Sequence, residues 1–214
     1  MSVVAPAWTI IIPLKDFRVA KSRLLGVGRP RLARAMAADT LRAVAACRSV
    51  EEIVVVASNV ESVSPLLPRK ARVVAEGAPG GVNKAIAIGR SSTSRRRRRA
   101  ALVGDLPFLT PEDLAEALVQ AAECRAGVVP DKEGTGTTMV TWNAEVEIMT
   151  HFGRGSFHRH TDAGYAPLLL RNTSGVRWDV DVREDLAPAL PAEGTETLRV
   201  IASLARRVDV KEWR

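Results

Sequence analysis

Apolar residues fall in short unbroken blocks through the first 130 residues, and amphipathic stretches separate the blocks. Trp8-Thr-Ile-Ile-Ile-Pro13-Leu14 is a continuous apolar run rich in β-branched residues, the pattern of a strand buried on both faces. Glu52 to Ala57, Ala71 to Ala75, Ala100 to Val103 and Gly127 to Pro130 read the same way. Between the first two lies a predicted helix from about Pro30 to Cys47. Pro30 suits its first turn, and Leu32, Met36, Leu41, Val44 and Ala45 approximate one face. Gly80-Gly81-Val82-Asn83 breaks the chain and opens a helix to about Ser91. Thr110-Pro111-Glu112-Asp113 supplies a Thr N-cap, a first-turn proline and first-turn acids for a helix to about Cys124. The last third mixes short strands (Thr138 to Trp142, Pro167 to Arg171, Val176 to Val182) with helices near Ser156 to Ala163 and Thr195 to Arg207.

Alternating strands and helices predict an α/β fold, a mostly parallel sheet with helices on both faces. No long Pro/Gly/Ser linker or internal repeat interrupts it, so residues 1–214 read as one domain. With 46% hydrophobic and only 4% aromatic residues, the core has to be aliphatic. Cys47 and Cys124 form neither a disulfide framework nor a Cys-x-x-Cys metal site and read as small buried hydrophobes. Trp8 to Leu14 is too short for a signal core or a membrane span, which places the chain in the cytoplasm with no membrane partner. The formal charge of +7 favours anionic partners without choosing among nucleic acid, membrane surface and phosphorylated small molecules.

The candidate chemistry clusters after predicted strands, where open α/β sheets gather ligands. Lys15-Asp-Phe-Arg18-Val-Ala-Lys21-Ser22-Arg23 carries four cations in nine residues, a solvated basic loop or a triphosphate clamp. It lacks the glycine spacing of a Walker motif. Asp105 sits at a strand end, and Asp179 and Asp181 stand at i and i+2, on one face of a strand. Each acid alone reads as a turn or cap residue; together they suit Mg²⁺, which takes one or two carboxylates with phosphate oxygens and water. Gly134-Thr-Gly-Thr137-Thr138 offers amides and hydroxyls to a phosphate or carboxylate, and Gly153-Arg154-Gly155-Ser156 adds a guanidinium and a helix start. His158 and His160 lack metal spacing and suit packing or hydrogen bonding. Arg95 to Arg99 reads as an exposed helix end or loop, because no aromatic residues interleave for base stacking.

These motifs resemble the phospholactate or phosphoenolpyruvate guanylyltransferases of coenzyme F(420) biosynthesis. The resemblance rests on Ile12-Pro13-Leu14-Lys15 through Ala20-Lys21-Ser22-Arg23-Leu24, Gly81-Val82-Asn83, Asp105-Leu106-Pro107 and Asp131 with Gly134 to Thr138. It continues with Phe152-Gly153-Arg154-Gly155-Ser156-Phe157, His160, and Asp179-Val180-Asp181 with Glu184-Asp185-Leu186. It implies a Rossmann-like mixed sheet of the nucleotide-diphospho-sugar transferase, or glycosyltransferase-A, type. It also implies transfer of GMP from GTP to a three-carbon phosphoacid, with Mg²⁺ and release of diphosphate. By the same resemblance Thr138, Gly153 and Ser156 hold the phosphoacid, and Gly81, Asn83 and Asp105 face the nucleotide. Lys15, Lys21 and Arg23 serve catalysis, and Asp105, Asp179 and Asp181 hold the metal. The expected partners are GTP, a small phosphorylated carboxylic acid and the next enzyme of deazaflavin cofactor assembly, with room for a homodimer and no nucleic acid.

Two other readings compete. A nucleotidyltransferase for a molybdopterin, sugar phosphate or polyol phosphate usually opens with a Gly-rich first loop, which is missing here. A basic RNA-binding protein would use Arg95 to Arg99 but gives Asp105, Asp179 and Asp181 no role.

Overall fold

The computed structural model describes residues 7–20, 28–78, 80–144, 146–147, 149–182, 184–186 and 195–205. Seven strands form one sheet: β1 (Trp8–Leu14), β2 (Val50–Ala57), β3 (Ala71–Ala75), β4 (Arg98–Leu102), β5 (Ala126–Pro130), β6 (Thr137–Trp142) and β7 (Ala166–Pro167). Their order is β3-β2-β1-β4-β6-β5-β7. β1, β2, β3 and β4 run parallel, while β6 is antiparallel to both its neighbours. The carboxyl ends of β1 to β5 therefore share one edge of the sheet with the first residue of β6. The chain runs outward from β1 to β2 and β3, then returns across β1 to β4. That reversal makes the crevice between β1 and β4 the topological switch point, where such sheets bind ligands.

The helices are α1 (Arg29–Ala46), α2 (Val60–Val63), α3 (Val82–Ser91), α4 (Pro111–Ala122), α5 (Ser156–Asp162) and α6 (Glu196–Ala205). Period-two alternation along β1 sends Ile10 and Ile12 toward α1 and α4, packing with Leu41, Val44, Leu114 and Leu118. Ile11 points the other way, toward Ile86 of α3, with Val54, Val128 and Val140. Both faces are covered, which is why the strand sequences lack polar alternation. Each such fully buried aliphatic side chain contributes about 1.5–3 kcal/mol. α4 starts as its sequence dictates: the Thr110 side chain accepts from Asp113 N. On the outer side of α1, Leu32, Ala35 and Met36 pack with Val200 and Leu204 of α6 and with Val180. Cys47 is buried in the core and Cys124 half-buried. No helix among the described residues is long and apolar enough to cross a membrane.

Three expectations need correction. Val176 to Val182 is not a strand: Gly175–Arg177 is a 3₁₀ turn, and the backbone beyond it is irregular. The Asp185 carboxylate bends this segment back by accepting from Asp181 N and Val182 N, at 2.7 and 2.8 Å. Pro167 to Arg171 shrinks to Ala166–Pro167, because the Gln120 amide engages both backbone groups of Leu169. Arg98 and Arg99 belong to β4 rather than to an exposed run, and Arg99 is buried with its guanidinium 5.7 Å from the Trp142 ring centre. Arg95 and Arg97 form ion pairs with Glu147 and Glu51, and Arg98 bonds to Asn143. The run therefore lies at the sheet edge opposite the strand carboxyl ends. The far end of the last predicted helix, to Arg207, lies partly outside the described residues.

Candidate active site

A cavity of about 1120 Å³ opens at the carboxyl ends of β1, β4 and β5 and the start of β6. It exceeds the usual span for one small ligand and has room for two substrates side by side. Lys15 enters from the end of β1, Gly81 from the start of α3, and Gly104 and Asp105 from the end of β4. Thr137, Gly153, Arg154 and Ser156 form the far wall. Gly104 packs closely on its neighbours: a Cβ there would stand 2.2 Å from Leu14 Cδ2 and displace that side chain. That close approach of β4 to β1 sets Asp105 at the switch point.

Asp105, Asp179 and Asp181 all line the cavity. They meet because Val180 N donates to Asp105 O at 3.2 Å, not because a strand alternates. Lys132 secures the same segment. Its Nζ donates to Asp179 O at 2.9 Å and lies 3.3 Å from Asp185 Oδ1 and 3.5 Å from Asp179 Oδ1. Burial works against the Lys132 charge, but Asp179, Glu133 and Asp185 outweigh it, and its pKa rises above the ordinary lysine value. Among the described residues no three His, Cys, Asp or Glu side chains are arranged to hold a metal by themselves. The donor chemistry still fits Mg²⁺, which completes its shell with phosphate oxygens and water. The wall also calls for cations. Of the described lining residues six are acidic (Asp16, Glu76, Asp105, Asp131, Asp179, Asp181) and two basic (Lys15, Arg154), despite the chain's net +7.

The basic loop after β1 divides. Lys15 faces the cavity, exposed to solvent. Arg18 is instead held by Asp16, with Nη2 to Oδ2 at 2.6 Å, and does not line the cavity. That hydrogen-bonded guanidinium holds the Asp16 carboxyl well below the usual carboxylate range. Phe17, buried in the core, anchors the turn. Lys21 and Arg23 lie outside the described residues.

Two residues expected at the ligand stand outside the cavity lining. Asn83 does not line the cavity. Its amide donates to Phe152 O at 3.1 Å and accepts from Phe152 N and Thr150 Oγ1, both at 2.9 Å, so it clasps the Phe152 loop. Thr138 is fully buried and does not line the cavity either; Thr137 does. Neighbouring residues of a strand point to opposite faces, so Thr137 reaches the cavity while Thr138 is buried. In the Gly134 to Thr138 loop, Thr135 N and Gly136 N are taken by the Asp131 carboxylate at 2.9 and 2.7 Å, so these amides bind the loop's own acid rather than a ligand anion. Gly153 and Ser156 do reach the cavity, with Gly153 at φ 129°, a conformation that favours glycine. The sequence left Lys132, Thr137 and the bridging role of Asp185 unassigned. Only Asp185 carried a signal, an acid set to accept from the amides three and four residues before it.

Behind this wall His160 is fully buried. Burial lowers its pKa to about 4, and the nearby His151 and Arg159 charges add to the shift. The folded ring stays neutral while the unfolded one takes a proton near pH 6.5. Its contribution is therefore complete above pH 6.5 and is lost as pH falls toward 4, by up to about 3 kcal/mol. Urea denaturation should show this loss between pH 7 and pH 4.5, and a His160→Phe variant should lack that part of the acid limb.

The fold is shared with solved structures described as nucleotidyl or nucleotide-diphospho-sugar transferases. A putative nucleotide-diphospho-sugar transferase of Desulfovibrio desulfuricans superposes with a TM-score of 0.66 at 16% identity, over 94% of this chain and 99% of that one. A nucleotidyl transferase of Methanothermobacter thermautotroptrophicus superposes with a TM-score of 0.59 at 13% identity, over 90% and 98%. At these identities the likeness concerns the fold. In sequence, the family described as "Guanylyl transferase CofC like" matches residues 8–211. The phosphoenolpyruvate guanylyltransferase of Streptomyces coelicolor is 38% identical over 205 residues, 92% of this chain and 97% of that protein. That of Geodermatophilus obscurus is 35% identical over 214 residues, 95% and 98%. The chain belongs to the CofC-like guanylyl transferase family.

Proposed function

We propose that this protein transfers GMP from GTP to the phosphate of phosphoenolpyruvate, releasing diphosphate, as a step of coenzyme F(420) biosynthesis in the cytoplasm. The observation that carries this reading is the acidic cavity at the switch point, with Asp105, Asp179 and Asp181 on one side and Thr137, Gly153 and Ser156 on the other. The relatives named for phosphoenolpyruvate favour that acid over 2-phospho-L-lactate. The product, a phosphoanhydride of the acid, passes to the next enzyme of deazaflavin cofactor assembly.

A phosphate monoester oxygen is the nucleophile. Its second pKa of roughly 6 leaves it ionised at neutral pH, so no general base is required. It attacks the α-phosphorus of GTP; a P–O bond forms there as the bond to the β-phosphate breaks, and diphosphate leaves with the electron pair. The chain's work is to align two polyanions and offset their repulsion. Two unit charges ~4 Å apart repel by ~4 kcal/mol at an effective dielectric of ~20. Lys15 bridges the α-phosphate and the incoming phosphate, and Lys21 and Arg23 add positive charge. Gly81 leaves open space beside the nucleotide, since nothing lies within 4 Å of where its Cβ would stand. Asp105, Asp179 and Asp181 would hold Mg²⁺, which when bound neutralises phosphate charge. Thr137, Gly153 and Ser156 receive the phosphoacid.

The test is diphosphate release from GTP and Mg²⁺ with phosphoenolpyruvate, 2-phospho-L-lactate or 3-phosphoglycerate supplied singly. Release is expected with phosphoenolpyruvate and is expected to stop on chelation. Release with another acid alone would reassign the acceptor, and release that survives chelation would remove the metal.

A further inference from the structure

His160 is tied on both ring nitrogens. Nε2 accepts from the backbone N–H of His151 at 2.8 Å, and Nδ1 stands 3.1 Å from Thr137 Oγ1. A neutral imidazole carries one N–H. Because Nε2 faces an amide donor, that hydrogen sits on Nδ1, where Thr137 Oγ1 accepts it alongside the Ser156 backbone. Ser156 Oγ donates to the same Thr137 oxygen at 3.0 Å. A hydroxyl oxygen has two lone pairs and one hydrogen. With Ser156 Oγ as the donor of that pair, both lone pairs of Thr137 are occupied, and its own hydrogen is left for the cavity that Thr137 lines. The ring cannot turn to the opposite tautomer without facing one N–H against another. Edge contacts from Tyr165 at 4.9 Å and Phe152 at 5.4 Å between ring centres hold its plane.

We propose that His160 is a positioning residue that sets the polarity of the phosphoacid subsite. Its Nδ1–H makes Thr137 present a donor, so that the subsite accepts an oxyanion of the phosphoacid and repels an N–H in that place. The proposal rests on the guanylyl-transfer reading of the cavity. It assigns specificity to a residue that touches no substrate.

Two substitutions separate polarity from packing. Asparagine can place an amide N–H where Nδ1 stands; glutamine can place an oxygen where Nε2 stands and restores nothing to Thr137. Both remove the ring and its packing. In assays with GTP, Mg²⁺ and phosphoenolpyruvate, His160→Gln should raise KM for phosphoenolpyruvate at least about tenfold, the loss of one hydrogen bond to a charged group. His160→Asn should recover most of that, and KM for GTP should stay near wild type in both. Equal rises in the two variants, or an equal rise in KM for GTP, would overturn the proposal. Nitrogen-15 NMR of the wild-type histidine rings tests it without substrate: the chain has only 3 histidines, and His160 should be the neutral Nδ1–H form at pH 7. An Nε2–H form would overturn it. Wild-type protein that turns over no phosphoacid would instead remove the guanylyl-transfer reading, while the NMR result still decides the polarity.

Discussion

Asp105→Asn should lower kcat for diphosphate release by about a hundred- to a thousandfold, the size expected when a group that stabilises transition-state charge is removed. Asp105 lies at the end of β4, where Gly104 lets the strand approach Leu14 and where Val180 N fixes the neighbouring acids through Asp105 O. Asparagine keeps the shape and the backbone bond, removes the charge and turns one acceptor oxygen into a donor. The fold should therefore persist, with a melting temperature near wild type, while Mn²⁺ binding in the presence of GTP, read by electron paramagnetic resonance, weakens. Asp181→Asn should act in the same direction. Unchanged kcat in both variants would sink the metal assignment and leave the acids as backbone anchors.

The largest loss of stability is expected far from the chemistry. Asp39 of α1 is buried, and its carboxylate receives Glu196 N at 3.0 Å, Thr197 N at 2.8 Å and Thr197 Oγ1 at 2.7 Å. It caps the first turn of α6 from another helix and also pairs with Arg42 at 2.7 Å. A negative charge at a helix N-terminus is favourable, and the amides it satisfies have no partner inside the helix. Asp39→Ala should cost about 3 kcal/mol, above a typical cap because three donors lose one buried acceptor. That corresponds to a melting temperature roughly 10 °C lower for a chain of this size. α6 also packs with Val180, between Asp179 and Asp181, so a modest fall in kcat should accompany the loss. An unchanged melting temperature would show that α6 adds nothing to the stability of the fold.

How much the sequence discloses depends on whether a residue's partner is near in the chain. β1, β2, β4 and β5 are legible because buried strands write themselves as apolar runs, the half-buried edge strand β3 by its shorter Val-Val core, and α4 because Thr110, Pro111 and Asp113 compose its start locally. Asp105 is legible as an acid at a strand end. Val176 to Val182 misleads because Val176 and Val180 are buried, as in a strand, while the backbone is turned by Asp185. Adjacent threonines at 137 and 138 carry no mark of which faces the cavity, since the register of β6 against β4 and β5 decides it. Lys132 is silent because its partners Asp179 and Asp185 lie about fifty residues away. The amide of Asn83 looks the same whether it meets a base or, as here, the backbone of Phe152.

The central claim is that the α-phosphoryl group of GTP moves to the phosphate of a small acid. GTP labelled at the α-phosphorus, incubated with the protein, Mg²⁺ and phosphoenolpyruvate, follows that group directly. The label is expected in a new phosphoanhydride that still contains the enolpyruvyl group, while label placed on the γ-phosphorus is expected only in diphosphate. An α-label that stays in GTP, or is recovered as GMP or GDP with no conjugate formed, would contradict it.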